Sequence, residues 1–146
     1  MTPEEVLVAS RRMDSREQVI AFDEAITEAG ALGTSRLDLR RLLEAFDDGT
    51  AHAEVMSGLV HVVAAFDEVT LIRELMASAA SMRERAPDWQ RVVLTRCLNH
   101  RPTCGELERV MRREPEACVA VRAAVEELAR NPTPVGERAR QLLLPT

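Results

Sequence analysis

The chain has 146 residues, 46% hydrophobic and 29% charged, a balance that excludes an intrinsically disordered protein and allows one core without disulfides or metal. Its net charge of −5, with arginine and no lysine among its residues, excludes the basic stripe typical of nucleic-acid-binding proteins. The longest apolar run, near residues 59–66, is too short to span a bilayer, so no membrane partner is expected.

The predicted elements of the first half are helices, because apolar residues recur at helical spacing and no useful stretch alternates as a strand does. Caps, prolines and glycines delimit them. In chain order they are a helix capped by Thr2, a second from Asp14 or Ser15 to Gly30, a third over residues 37–46 and a fourth over residues 51–66.

The second half continues in the same way. A fifth helix starts at Asp67 and ends at Ala86, because a residue that precedes a proline avoids helical geometry. Residues 103–106 have the Ser/Thr-x-x-Glu pattern of a capping box, which predicts a helix start there. The remaining predicted helices are a sixth over residues 87–98, an eighth opened by Pro115 and a short one after Pro134.

A repeated sequence motif indicates how these helices are arranged. Ala-Phe-Asp-Asp-Gly-Thr at residues 45–50 matches Ala-Phe-Asp-Glu-Val-Thr at residues 65–70, and residues 21–24 are a weaker copy. A spacing of one helix plus one turn predicts stacked antiparallel helices. We therefore expect an all-α fold, a HEAT-like α-solenoid of about eight or nine short helices that forms one domain over residues 1–146.

This arrangement constrains any binding surface, because successive turns of a helical array fall on opposite edges. The turn at Asp47–Asp48 should share an edge with residues 84–88. The turn at Asp67–Glu68 should share the other edge with the turn before Asp38 and with residues 99–103.

The sequence contains no convincing catalytic or metal-binding constellation. It has no phosphate-binding glycine loop, no nucleophile elbow and no zinc-protease motif. Cys97, His100 and Cys104 could be zinc ligands, but Cys97 lies on an apolar helix face, where a cysteine behaves as a small hydrophobe. We therefore expect no enzyme activity, no metal and no cofactor, and three reduced thiols are typical of a cytoplasmic protein.

Three further side chains have a structural and a functional interpretation. His52 and His61 lie nine residues apart on one helix and point in opposite directions, so they cannot act as a pair. We expect His61 to lie near the core and His52 at the surface. Trp89 is expected to be a core anchor, with contact to a partner as the alternative.

Four motifs stand out in the middle of the chain: Glu-Val-Met-Ser-Gly-Leu-Val-His at residues 54–61, Phe-Asp at 66–67, Ala-Pro-Asp-Trp at 86–89 and Arg-Cys-Leu-Asn at 96–99. With these motifs the chain resembles immunity protein family 30 of bacterial polymorphic toxin systems. The resemblance covers residues 37–128, and Cys97 departs from it where the family has isoleucine.

The resemblance implies an all-α fold of HEAT-like character and a protein that binds a cognate toxin and blocks it. The family defines no catalytic residues, so none can be assigned here. The arginine-only basic set also suits a GC-rich bacterial genome. The alternative from another class is a helical scaffold that binds an unrelated cytosolic protein, and a toxin gene next to this one would favour the immunity function.

Charge indicates where such a partner would bind. Residues 1–70 contain 14 acidic and 6 basic residues, whereas residues 71–146 contain 10 acidic and 13 basic residues. An acidic half can steer a basic partner, such as a basic nuclease toxin, although an ordinary solvated surface explains the imbalance equally well. The expected partner-binding residues are Asp47, Asp48 and Glu54, with Asp67 and Glu68 as a second set.

Overall fold

The structure is a computed structural model that describes residues 1–145, all helices, turns and loops without a strand, so the all-α prediction is confirmed. Two short 3-10 helices, Thr34–Arg36 and Pro115–Cys118, lie between the α-helices. The α-helices are α1 (Pro3–Ser10), α2 (Arg16–Leu32), α3 (Leu39–Glu44), α4 (Ala53–Ala64), α5 (Glu68–Arg85), α6 (Pro87–Asn99), α7 (Arg101–Arg113), α8 (Val119–Ala129) and α9 (Pro134–Leu143).

The predicted helix caps are present at three starts. Thr2, Ser15 and Asp67 each accept a hydrogen bond through the side chain from the backbone N–H three residues later. Each bond satisfies one of the four N–H groups that a helix start leaves without an intrahelical partner. Local sequence chemistry therefore sets where α1, α2 and α5 begin.

Two predicted boundaries were wrong. Helix α2 runs through Gly30 to Leu32, because it is Gly33 that adopts the left-handed φ of 83° and donates its N–H to the Ala29 carbonyl. The capping box expected at Thr103 is not a helix start. Helix α7 already begins at Arg101, and Thr103 is buried in its first turn.

The eighth predicted helix also differs from the prediction at its start. Pro115 opens the 3-10 helix Pro115–Cys118, and the α-helix follows only from Val119. Proline fixes φ at a value that suits the first position of either helix type, so the sequence could not distinguish them.

The helices pack in two rows. Helices α1, α3, α5 and α7 pack successively on each other and form the odd row, and α2, α4, α6 and α8 pack successively to form the even row. The rows meet in the pairs α1–α2, α3–α4, α5–α6 and α6–α7. The carboxy-terminal end departs from this order, because α8 also packs on α5 and α9 packs on both α8 and α6.

The core lies between the rows and is built mainly from aliphatic side chains. Two of the three phenylalanines, Phe22 and Phe46, are completely buried. Trp89 is half-buried and stacks on Phe46 with 5.8 Å between ring centroids, which supports its expected role as a core anchor. His61, expected near the core, instead lies exposed on α4, because the apolar stripe of this helix is formed by its valine, leucine and methionine neighbours.

None of the helices described within residues 1–145 has both the length and the apolar character needed to cross a bilayer.

Candidate functional site

The two acidic turns lie on different edges of the two-row array, as predicted. Asp48 donates its backbone N–H to the Arg85 carbonyl at 3.3 Å, which places residues 47–48 beside the turn between α5 and α6. Asp67 instead lines a surface depression together with residues 34–35 and 37–39. We refer to these places as the Asp48 edge and the Asp67 edge.

Asp47 is engaged within the molecule. The residue is 7% exposed, and its carboxylate lies 3.2 Å from the Arg11 guanidinium and accepts the Gly49 N–H at 2.7 Å. Arg85 joins this cluster by donating to the carbonyl of Leu43, in the last turn of α3, and to the carbonyl of Phe46, two residues after that helix ends. Burial lowers the pKa of Arg85, and nearby Arg11 adds to the effect. Asp47 therefore balances two arginines that close the end of α3.

Asp48 caps a helix that is distant in sequence. Its two carboxylate oxygens accept the backbone N–H groups of Asp88 at 2.9 Å and of Trp89 at 3.2 Å. The residue that precedes α6, Ala86, has no side chain that could do this. Asp48 thus ties the loop before α4 to the start of α6, and both oxygens already have partners.

The repeated Ala-Phe-Asp motif has two different structural roles. Both copies end a helix, but Asp67 caps α5 directly, whereas α4 begins only at Ala53 after the turn that contains Asp47. Phe46 is fully buried while Phe66 is half-buried at the surface. The repeated motif therefore marks two helix ends, but the turns that follow them differ in structure.

Glu54 is exposed on the first turn of α4, on the side of the Asp48 edge. Its carboxylate accepts from the backbone N–H of its own residue and contacts the His52 imidazole at 3.2 Å, and these two interactions lower the pKa of Glu54. An exposed carboxylate that remains ionised near a helix start is available to a cationic partner.

Asp67 is exposed and bonded only to its own helix start. Thr70 donates to it through the hydroxyl at 2.7 Å and the backbone N–H at 3.0 Å, and the hydroxyl bond is the main cause of the lowered pKa of Asp67. Glu68 is half-buried and forms no ion pair with any residue in the range 1–145. Both carboxylates therefore lie on the Asp67 edge without an ion-pair partner among residues 1–145.

Beside Phe66 the Asp67 edge contains an apolar pocket that the sequence analysis missed. The pocket has a volume of about 120 Å³ and lies where α4, α5, α6 and α7 converge. Arg96 and His100 stand at its mouth, and both are exposed. Its buried walls are formed by Val60, Val63, Leu71, Val93, Cys97 and Thr103.

One signal in the sequence points to this pocket. Val60 and Ala64 lie four residues apart on α4, beside the stripe formed by Leu59, Val62 and Val63. They widen the apolar face of this helix beyond what one neighbouring helix can cover. The sequence cannot show that α7 leaves part of this face open.

The other side of Phe66 has the opposite charge. A depression of about 380 Å³ is lined there by Asp38, Asp67 and Glu74, with Arg73 as its one basic side chain. Phe66 therefore separates an acidic depression from a pocket with a cationic mouth. This arrangement of a central apolar pocket and a polar rim is typical of protein-binding surfaces.

A second acidic surface lies on α2. It carries four exposed acidic residues that form no ion pair within residues 1–145, and Ile20 lies exposed among them. This segment belongs to the acidic half of the chain, residues 1–70. The four are Glu17, Asp23, Glu24 and Glu28.

The three residues considered as zinc ligands, Cys97, His100 and Cys104, lie in different environments. Burial raises the pKa of Cys97 to about 12 and raises the pKa of Cys104 as well, so both remain protonated thiols. His100 contacts the Thr103 hydroxyl at 2.7 Å through Nδ1. Residues 1–145 contain no group of three or more metal-ligating side chains close enough to hold an ion.

The immunity protein 30 family model matches residues 9–107 of the chain. The chain belongs to this family. The matched range starts and ends earlier than the resemblance at residues 37–128, so it includes α2 and stops within α7. Both edges and the pocket beside Phe66 lie inside it. No curated protein and no solved structure matches the chain.

Proposed function

We propose that the chain binds a cognate toxin and neutralises it by stoichiometric occlusion of the toxin's active site or substrate groove, acting in the cytoplasm without catalysis or a cofactor. Family membership over residues 9–107 is the observation that carries this proposal. A mechanism by occlusion requires only a complementary surface, and the Asp67 edge offers an apolar pocket with charged surroundings.

The docking surface is the Asp67 edge. Asp67 and Glu68 have no ion-pair partner among the described side chains, whereas the carboxylates of Asp47 and Asp48 are bonded to Arg11 and to the start of α6. A partner that bound the Asp47 or Asp48 carboxylate directly would break those bonds, and its own contacts would have to compensate for the free energy lost. Glu54, one of the first set of expected partner-binding residues, lies on the opposite edge. In this proposal it attracts the toxin through its long-range electrostatic field.

The toxin is a basic protein in this proposal. Residues 1–70 contain eight more acidic than basic residues, and the outer face of α2 adds exposed carboxylates without ion pairs. A field of this sign accelerates the approach of a basic surface, such as that of a nuclease, and salt weakens the effect.

The two rows form a HEAT-like array in this proposal. Repeated packing of odd helices on odd helices and of even helices on even helices is what stacked helical pairs produce. Such an array would present the Asp67 edge with little change in backbone structure on binding.

Co-expression with the toxin domain encoded beside this gene tests the proposed function. We expect cells that express both to grow and a 1:1 complex to purify, and cells that express the toxin domain alone to stop growing. Growth arrest in both strains, with no complex on size-exclusion chromatography, would overturn the proposal.

A further inference from the structure

We infer that the pocket beside Phe66 receives one apolar side chain of the toxin, and that a carboxylate next to that side chain pairs with Arg96. The identity of the occupant rests on the proposed function. That the pocket prefers an apolar group with a neighbouring carboxylate rests on the geometry alone, and this preference can be tested without the toxin.

The volume of the pocket decides what kind of group fits. At about 120 Å³ it is well below the roughly 300–1,000 Å³ of cofactor and metabolite sites, and it is close to the roughly 150 Å³ of an apolar cavity that accepts benzene. One leucine-sized or phenylalanine-sized side chain fills it. A pocket for one anchor residue is a common centre of a protein–protein interface.

The walls of the pocket determine the polarity of the group that enters. Val60, Val63, Leu71 and Val93 are all at most 6% exposed, so the interior offers aliphatic surface. Thr103 is the one hydroxyl in the wall, and its oxygen is already bonded to His100. The interior therefore favours an uncharged hydrocarbon group.

The mouth of the pocket determines the charge beside that group. Arg96 is exposed and has no carboxylate partner within residues 1–145, and its contact is a donated hydrogen bond to His61 Nδ1 at 3.4 Å. His100 lies on the same rim. A guanidinium that lacks an anion pairs well with a carboxylate, so the partner segment carries an acidic group next to its apolar anchor.

The acidic depression on the other side of Phe66 fixes the orientation in which the toxin segment binds. Asp38 and Asp67 line it, so a basic group of the partner belongs on that side and an acidic group on the Arg96 side. Wrong orientations place like charges together, which costs affinity. The edge therefore specifies orientation in addition to affinity.

The first experiment titrates the purified chain with 3-phenylpropionate and, separately, with 3-phenylpropylamine, and follows backbone amide shifts by NMR. We expect saturable shifts around Ala64, Phe66 and Thr103 with the carboxylate, and binding of the amine that is about tenfold weaker because Arg96 repels it. No localised shift, or equal binding of the two probes, would overturn the inference and leave the proposed function intact.

Two variants identify the groups responsible. Ala64→Phe fills the mouth from α4 and should abolish the shifts, while Ala80→Phe, at an exposed position of α5 outside the pocket, should not. Arg96→Gln keeps an exposed polar side chain and should weaken the carboxylate probe about fivefold, as for loss of one charge-assisted contact. Arg16→Gln, its matched control on α2, should leave binding unchanged.

The same variants then connect the pocket to the toxin. We expect Ala64→Phe to weaken the complex with the toxin domain at least about tenfold and Ala80→Phe to leave it unchanged. If the Ala64→Phe variant bound the toxin domain as tightly as the wild-type chain does, and still neutralised it, the toxin side chain would not occupy the pocket, and the inference would be contradicted. Failure of every variant and of the wild-type chain to bind the toxin domain would instead refute the proposed function.

Discussion

At the residue scale, the acidic side chains of this protein divide into those that hold the fold together and those that face solvent. Asp47 and Asp48 belong to the first group, because their oxygens are bonded to Arg11, Gly49 and the first turn of α6. Asp67 caps its own helix and still lies exposed at the surface. The same residue type in a repeated motif therefore has different roles according to its partners.

The role of Asp48 as a cap from a distant loop leads to a stability prediction. Asp48→Ala removes two acceptors from the start of α6 and should destabilise the protein by about 1 kcal/mol, the usual cost of a lost cap. Asp48→Asn keeps one acceptor oxygen and should cost less. Urea denaturation measures both, with Asp23→Ala on the exposed face of α2 as a control that should be neutral. Equal stability of Asp48→Ala and wild type would contradict this assignment.

The ion pairs of Glu127 predict how stability depends on pH. Arg83 and Arg91 contact its carboxylate at 2.5 and 2.6 Å, and the bond from Arg83 is the main cause of a lowered pKa of Glu127. A carboxyl whose pKa is lower in the folded state stabilises above its unfolded pKa, about 4.3, and loses that contribution as pH falls through the folded value.

Glu127→Gln should therefore be less stable than wild type by about 1 kcal/mol at pH 7, and the difference should shrink toward zero below about pH 4. Thermal unfolding of both proteins between pH 7 and pH 3 measures the difference. A gap that is constant over this range would show that packing, and not the charge of Glu127, causes the loss.

At the element scale, three helix starts were predictable because a capping side chain marked them, at Thr2, Ser15 and Asp67. Ends and interruptions were less predictable, because Gly30 and Gly33 are both plausible helix ends in sequence and only the packed backbone shows that Gly33 takes positive φ. The start of α7 was missed because Thr103 fits a capping pattern, although it lies within the first turn of the helix and its hydroxyl contacts His100.

Two helical glycines should respond oppositely to substitution by alanine. A Cβ at Gly136 would lie 1.9 Å from the Asn131 carbonyl oxygen, whereas a Cβ at Gly105 would meet no atom within 4 Å. Gly136→Ala should therefore destabilise the α8–α9 turn by about 2 kcal/mol or more, through a clash with backbone. Gly105→Ala should stabilise α7 by up to about 1 kcal/mol. Midpoints of chemical denaturation that move in the same direction would contradict this placement.

At the scale of the whole molecule, the sequence predicted which turns share an edge, because alternate turns of a stack of antiparallel helices fall on the same edge. It did not predict the pocket beside Phe66. That pocket depends on where α7 lies relative to α4 and α6, and no local pattern encodes this distance. The distribution of charged residues along the sequence identified the acidic half. Only the contacts in the structure show which carboxylates lack an ion-pair partner within residues 1–145.

The charge of the Asp67 edge predicts a kinetic effect on toxin binding. Asp67→Asn with Glu68→Gln removes two charges while an acceptor remains at the cap, and should slow association by about threefold to tenfold at low salt with a smaller effect at high salt. Glu114→Gln with Glu116→Gln removes two exposed charges outside the matched family range and should change the rate less. Stopped-flow or surface-based kinetics can measure this, and equal slowing by both pairs would assign the effect to net charge alone.

The most direct test of the central claim is hydrogen–deuterium exchange of the chain with and without the toxin domain. If the toxin docks on the Asp67 edge, exchange should slow in residues 64–72 and 96–104 and remain unchanged in residues 115–145. Protection confined to residues 47–52 and 85–89, or absent throughout, would contradict the claim.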